Sequence, residues 1–210
     1  MLRNAAVRRV DQTVKRLRAI PSARGGGSAR REEGLMDVID VLRARRSVRS
    51  YQKRAVEDDR LERVLDAARI APSAKNMQEW KFVVVRDEET RAALVEACAG
   101  QTFVGEAPVV IAGCATITDY TMRCGQLAYP INLAIAMDHM MLQAASEGLG
   151  TCWIGAFYEA QVKQILGIPE EARVVLLLTL GHPSEPLVPA ASSLKKRKKL
   201  EDIVGREKWS

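Results

Sequence analysis

Arg45-Arg46-Ser47-Val48-Arg49 gathers three guanidinium groups and a hydroxyl within five residues. Guanidinium groups grip a phosphate through paired, charge-assisted hydrogen bonds, and Ser47 adds a neutral donor. Arginines at the end of a helix also simply answer its dipole, so this segment alone leaves both readings open. A second segment, Ala71-Pro72-Ser73-Ala74-Lys75-Asn76-Met77-Gln78-Glu79-Trp80, sets amide and hydroxyl side chains on a proline-stiffened turn. Pro72, Ser73, Asn76 and Gln78 there suit the polar edge of a heteroaromatic ring, or an ordinary capped loop. A third, Gly150-Thr151-Cys152-Trp153-Ile154-Gly155-Ala156-Phe157, offers Gly155 and Ala156, whose small side chains let backbone N–H groups approach a ligand or serve packing. The last is the basic run Lys195-Lys196-Arg197-Lys198-Lys199, by itself a solvated tail or a nucleic-acid patch.

Several chemistries are excluded or weakened. There is no GxGxxG after a strand, no GxxxxGK[ST], and no HExxH or GxSxG. The two histidines, His139 in an apolar helical pattern and His182 before a proline, read as structural, which leaves acid–base catalysis by side chains poorly supplied. Cys98, Cys114, Cys124 and Cys152 form no CxxC pair, so no metal site is expected and a reducing cytoplasm is the expected compartment.

The elements that must hold these segments follow from periodicity. A helix is predicted from Met36 to about Arg45, another through Leu61, Val64, Leu65 and Ala68 to Ile70, and a strand at 81–85. A helix over 88–99 and a strand over 108–114 follow. The pattern from Gln126 to Glu147, apolar around most of its circumference, marks a central buried helix. A strand over 151–155, a helix over 159–166 and a strand over 174–180 complete an α+β domain.

The net charge of +6 suggests a polyanion partner, but its placement argues otherwise. Residues 1–35 hold nine Lys/Arg and three acids, while 36–210 balance at 23 and 23. The first 35 residues, with the linker Arg24-Gly25-Gly26-Gly27-Ser28, read as a basic, flexible leader. Targeting segment, surface-binding helix and an early start are the three readings, and the one preferred places the native start at Met36. Residues 36–210 then form one domain, large enough to bury about 70% of its unfolded surface without a staple. No apolar stretch approaches the roughly 20 residues of a membrane span, so neither membrane nor nucleic acid is an expected partner.

In this order and spacing the segments resemble the FMN-dependent nitroreductase family, over essentially Met36 to Val204. The likeness is carried by "MDVIDVLRARRSVRSY", "APSAKNMQEWKFVVV", "LGTCWIGAF", "LTLGHPSE" and "RKKLEDIV". One residue departs from it: Glu79 precedes Trp80 where relatives mostly have proline, which bears on the loop's stiffness. The resemblance implies a small central mixed or antiparallel sheet flanked by helices, in an interlocked homodimer with FMN in the interface. Carried over, Arg45, Ser47 and Arg49 would hold the FMN phosphate and ribityl chain, and Arg46 would contribute through its backbone or at the ring's polar edge. Arg197, with Lys195, would reach the same phosphate from the tail. Pro72, Ser73, Asn76 and Gln78 would meet the isoalloxazine from the other subunit, and Gly155 and Ala156 would supply a backbone donor near flavin N5.

The function so implied is a ping-pong oxidoreductase in which NADH or NADPH gives hydride to flavin N5 and a small electron-poor acceptor, such as a nitroaromatic or quinone, takes it up. Cofactor chemistry explains why no catalytic dyad of side chains is found. A specialised branch (ene-reductase, reductive dehalogenase or flavin-consuming enzyme) would add a lid, and 101–126, with Tyr120, Met122 and Arg123, is where acceptor specificity is expected. The rival from another class, a nucleic-acid or membrane-surface binder using the basic leader, predicts binding that weakens steeply with salt.

Overall fold

The computed structural model describes residues 37–187 and 197–209; the basic leader and Lys195 lie outside the described residues. Its elements are α1 (Val38–Ala44), α2 (Asp58–Arg69), β1 (Trp80–Val85), α3 (Glu88–Ala97), α4 (Phe103–Glu106), β2 (Val109–Ala115), α5 (Ala128–Ser146), β3 (Gly150–Ile154), α6 (Glu159–Leu166) and β4 (Arg173–Gly181), with 3-10 turns at Ala74–Asn76 and Leu200–Asp202. The long predicted elements all form, within a few residues of their expected ends. The short α4 is an addition: four residues carry too little periodicity to announce a helix.

The four strands run in the order β1-β2-β4-β3, and every neighbouring pair is antiparallel. Of the mixed and antiparallel alternatives, the sheet is therefore antiparallel; the parallel pairing present is the isolated Ser47–Thr151 bridge. Side-chain alternation divides the core in two. Val109 and Ile111 of β2, with Leu176, Leu178 and Leu180 of β4, pack with α2 and α5. Val110, Ala112, Cys114 and Leu177 face the opposite way, toward α3, α4 and α6. A register shift at Gly113/Cys114 leaves Val175 without a partner in β2, so Val175 and Leu176 both reach the α5 side.

Helix α5 is the axis of the fold, because it is apolar on nearly every side and so can be covered on nearly every side. It packs against α1, α2, β2, β3 and β4. Leu133, Met137 and Met140 are fully buried, each contributing about 1.5–3 kcal/mol of transfer free energy. Helix α2 lies on it through Leu61, Val64 and Ala68, and Arg63 of α2 clasps Glu147 just past the end of α5, Nη2 to Oε2 at 2.8 Å. Glu147 is held below the usual carboxylate range chiefly by that arginine. Among the described residues no helix is long and apolar enough to cross a membrane.

Candidate functional site

After α1 the chain becomes extended at Arg45 and docks beside β3: the Val48 N–H donates to the Thr151 carbonyl at 2.8 Å. Alternation then buries Val48 and leaves Ser47 and Arg49 exposed, with Arg45 and Arg46 half-buried. The docking demands a glycine opposite, since a Cβ at Gly150 would lie 2.7 Å from Val48 Cγ2. Tyr51 locks the far end: its hydroxyl donates to the Val48 carbonyl (2.8 Å) and lies 2.6 Å from Thr179 Oγ1, and burial drives its pKa far above the ordinary value.

Along this segment runs a cavity of about 330 Å³ lined by Arg46, Ser47, Val48, Arg49 and the 183–185 turn. Arg46 donates through Nη2 to the carbonyls of Glu185 (3.1 Å) and Pro186 (3.4 Å), while its buried Nε has no partner. The Arg49 guanidinium sits 5.7 Å from the centroid of the Phe103 ring. Beneath these groups lies Cys152, whose thiol is pushed up by burial despite the opposing influence of Arg49, Ser47 and Arg45. Burial likewise pushes Cys98 and Cys114 up to about 11, so these thiols stay protonated at neutral pH and are not nucleophiles.

Where β3 ends, Gly155 and Ala156 are exposed, and Gln101 Nε2 fixes the turn by donating to the Ala156 carbonyl at 3.0 Å. Gly155 is not in the left-handed region, and a Cβ there would meet nothing within 4 Å. Neither backbone geometry nor packing in this chain calls for glycine at that point. Arg46, Ser47 and Arg49 thus line one cavity beside the start of β3, where Ser47 bridges Thr151, while Gly155 and Ala156 follow the end of the same strand.

The Pro72–Gln78 segment belongs to a different support. Its turn holds Lys75, Asn76 and Gln78 at φ of 54°, 56° and 50°, a region costing non-glycine residues about 1 kcal/mol each. Ser73 Oγ accepts from the Gln78 N–H at 3.0 Å, and Gln78 Nε2 donates back to the Asn76 carbonyl at 3.2 Å. Asn132, a polar residue buried in α5, clamps both ends: its Oδ1 accepts from the Ala74 N–H (3.1 Å) and its Nδ2 donates to Glu79 Oε1 (2.6 Å). Glu79, at 2% exposure, also holds Thr116 through its backbone carbonyl, and its Oε2 is buried without a partner. Immediately before Trp80, this chain ties the loop inward by a carboxyl group. No hydrogen bond or ion pair among the described residues joins this loop to the Arg45–Arg49 segment. Pro72, Asn76 and Gln78 are exposed, as is Arg197 in the tail.

Sequence reasoning misses Asn132, Tyr51 and the buried bond of Glu79 to Asn132; a lone amide in an otherwise apolar helix is the available signal for the first. Both histidines are engaged structurally. His139 Nδ1 lies 3.3 Å from the Ala67 carbonyl and His182 Nε2 3.1 Å from Glu57 Oε2. Helix α4 and strand β2 occupy much of the first half of the 101–126 stretch, so its long loop is 116–126. Among the described residues no group of His, Cys, Asp and Glu could hold a metal ion.

Comparison with known proteins adds to this geometry. The model of the Nitroreductase family matches residues 42–116 and 100–182. The Thermus thermophilus protein named "NADH dehydrogenase" is 33% identical over 192 residues, spanning 75% of this chain and 94% of its own. The "FMN reductase [NAD(P)H]" of Bacillus subtilis is 28% identical over 166 residues, 71% of this chain and 67% of its own. The crystal structure of a nitroreductase family protein from Clostridium difficile superposes with a TM-score of 0.74 at 31% identity, covering 83% of this chain and all of that one.

Proposed function

The chain belongs to the nitroreductase family, and from that premise we propose that it is an FMN-dependent NAD(P)H oxidoreductase delivering reducing equivalents to a small electron-poor acceptor such as a nitroaromatic or a quinone. The observation that carries the reading is the cavity beside Arg45–Arg49, where guanidinium groups stand with no carboxylate partner on Arg45 or Arg49 among the described residues. That donor set fits a phosphate ester. The orphaned Arg46 Nε and the open space over Gly155 fit a bound polar ring next to it.

When bound, FMN supplies the two-electron chemistry that no side chain here can supply. Arg45, Ser47 and Arg49 would hold its phosphate and ribityl chain, with Arg197 and Lys195 reaching the same phosphate. The backbone of Gly155 and Ala156 would donate to the ring. A donor fixed before reaction stabilises charge developing at the ring without reorganising, which is where such a site gains most. Pro72, Ser73, Asn76 and Gln78 would line the ring from a second subunit, since their loop has its own support and no bond to the phosphate segment.

A homodimer is supported by uncovered apolar surface. Val38, Ile39 and Leu42 of α1, Ile70 after α2 and Ile131 of α5 are exposed. A groove of about 280 Å³ runs among them, lined by Val38, Val41, Ile70 and Leu142. In the tail, Leu200, Ile203 and Trp209 are exposed, Trp209 completely. A monomer rarely leaves so much apolar area in water, and a second copy with a wrapping tail would cover it.

The test is to titrate purified protein with FMN and then score anaerobic flavin reoxidation across a panel of nitroaromatics and quinones. Binding with reoxidation by these classes is expected. FMN uptake with no reoxidation by either class would move the acceptor assignment elsewhere.

A further inference from the structure

We propose that Lys75 is a specificity-determining residue, selecting substrates that carry an anionic group beside the reacting centre; this rests on the flavin site described above. Lys75 stands in the strained turn between Ser73 and Asn76, the residues assigned to the ring, with φ 54° and ψ 19°. Its Nζ lies 4.4 Å from the centroid of the Tyr120 ring. A ring face attracts a cation but brings no countercharge, so the ammonium is held in place with its charge unspent. Lys163 and Lys199, by contrast, pair with carboxylates. Asp119, next to Tyr120 in sequence, is exposed and makes no ion pair with Lys75 among the described residues.

Backbone and ammonium are both referenced to α5. Asn132 holds the Ala74 N–H, one residue before Lys75. The Tyr120 carbonyl accepts from the Ala128 N–H at the start of the same helix (3.0 Å), and its turn is closed by Met122 N–H to the Gln126 carbonyl and Gly125 N–H to the Met122 carbonyl, each 2.8 Å. A cation immobilised in advance loses less freedom when an anion arrives, and an ammonium on a ring face keeps N–H donors for it. Two sources carry suitable chemistry: a carboxylate on the acceptor, or the extra phosphate that distinguishes NADPH from NADH.

The experiment compares wild type with Lys75→Met, Lys75→Arg and Tyr120→Leu as FMN-loaded enzymes. One arm takes the kcat/KM ratio of para-nitrobenzoate over neutral para-nitrobenzamide. The other takes the NADPH over NADH ratio for anaerobic flavin reduction, which needs no acceptor. Lys75→Met is expected to lower one ratio about tenfold, mainly through KM or the apparent Kd, the size of one charge-assisted hydrogen bond. The arm that moves identifies the source. Lys75→Arg should restore most of the loss and Tyr120→Leu reproduce part of it. Both ratios unmoved in reducible, FMN-loaded Lys75→Met enzyme would overturn the role of Lys75 and leave the flavin site standing, whereas wild type that binds no FMN would overturn the site itself.

Discussion

The Arg45–Arg49 segment and the Pro72–Glu79 loop are held by opposite means. The first has ordinary extended backbone, lies along β3 through the Val48 N–H, and leaves Ser47 and Arg49 exposed. The second has three non-glycine residues in left-handed conformation and depends on the buried Asn132–Glu79 pair for its shape. One region is specialised by side-chain charge on a relaxed chain, the other by backbone strain that a neighbouring helix maintains. Damage should therefore separate: removing charge from the first should cost binding without stability, whereas removing support from the second should cost stability first.

The largest effect is expected at Asn132. Replacing it with alanine leaves the half-buried Ala74 N–H and the whole buried Glu79 carboxyl without their partners, and should lower stability by about 3 kcal/mol, measured by denaturant unfolding. Bound FMN should keep its phosphate grip yet show an altered visible circular dichroism band. An unchanged band and unfolding curve would mean the loop does not depend on α5. Next comes Gly150→Ala, where the new methyl group must displace Val48 from 2.7 Å. About 1–3 kcal/mol of overpacking is expected, together with weaker FMN binding, because the displaced residue carries with it the Arg45–Arg49 segment proposed to hold the phosphate.

Arg49→Ala sharpens the contrast from the other side. Its melting temperature should stay within about 1 °C of wild type, given a ΔΔG of a few tenths of a kcal/mol, while the FMN Kd rises about tenfold or more. A large drop in melting temperature with unchanged affinity would reverse the roles given to the two regions. The smallest effect is one of pH. Glu57 is held down to about 2, first by a bond from its own backbone amide and then by Arg54 and His182. A depressed carboxylate stabilises the fold fully above its ordinary value of 4.5, and that contribution is lost as pH falls from 4.5 toward 2. Through His182 it supports the turn on which Gln52 rests, just beyond Arg49. Glu57→Gln should flatten the acid side of the stability profile, and a slope identical to wild type would locate the acid sensitivity elsewhere.

The same contrast explains what was legible in the amino-acid sequence. Charge and periodicity are local properties, so the central helix and all four strands are legible directly, as is the clustering of charge at Arg45–Arg49. The second region is legible only in part, since its shape arises from contacts between residues far apart in the chain. Asn132 and Glu79 are separated by more than fifty residues, and nothing local says that one amide holds both ends of the loop. Glu79 looked like a stiffness change at a proline position and proved to be a buried tether. The pairing of Ser47 with Thr151 is long-range in the same way, and it sets the Arg45–Arg49 segment beside β3.

The central claim, that this chain binds FMN and cycles it with a nicotinamide donor, is tested most directly by anaerobic reduction. Protein loaded with FMN and freed of excess should be yellow, bleach on addition of NADH or NADPH, and regain its colour with a quinone or nitroaromatic. A colourless protein that neither takes up FMN nor oxidises either nicotinamide would contradict the account.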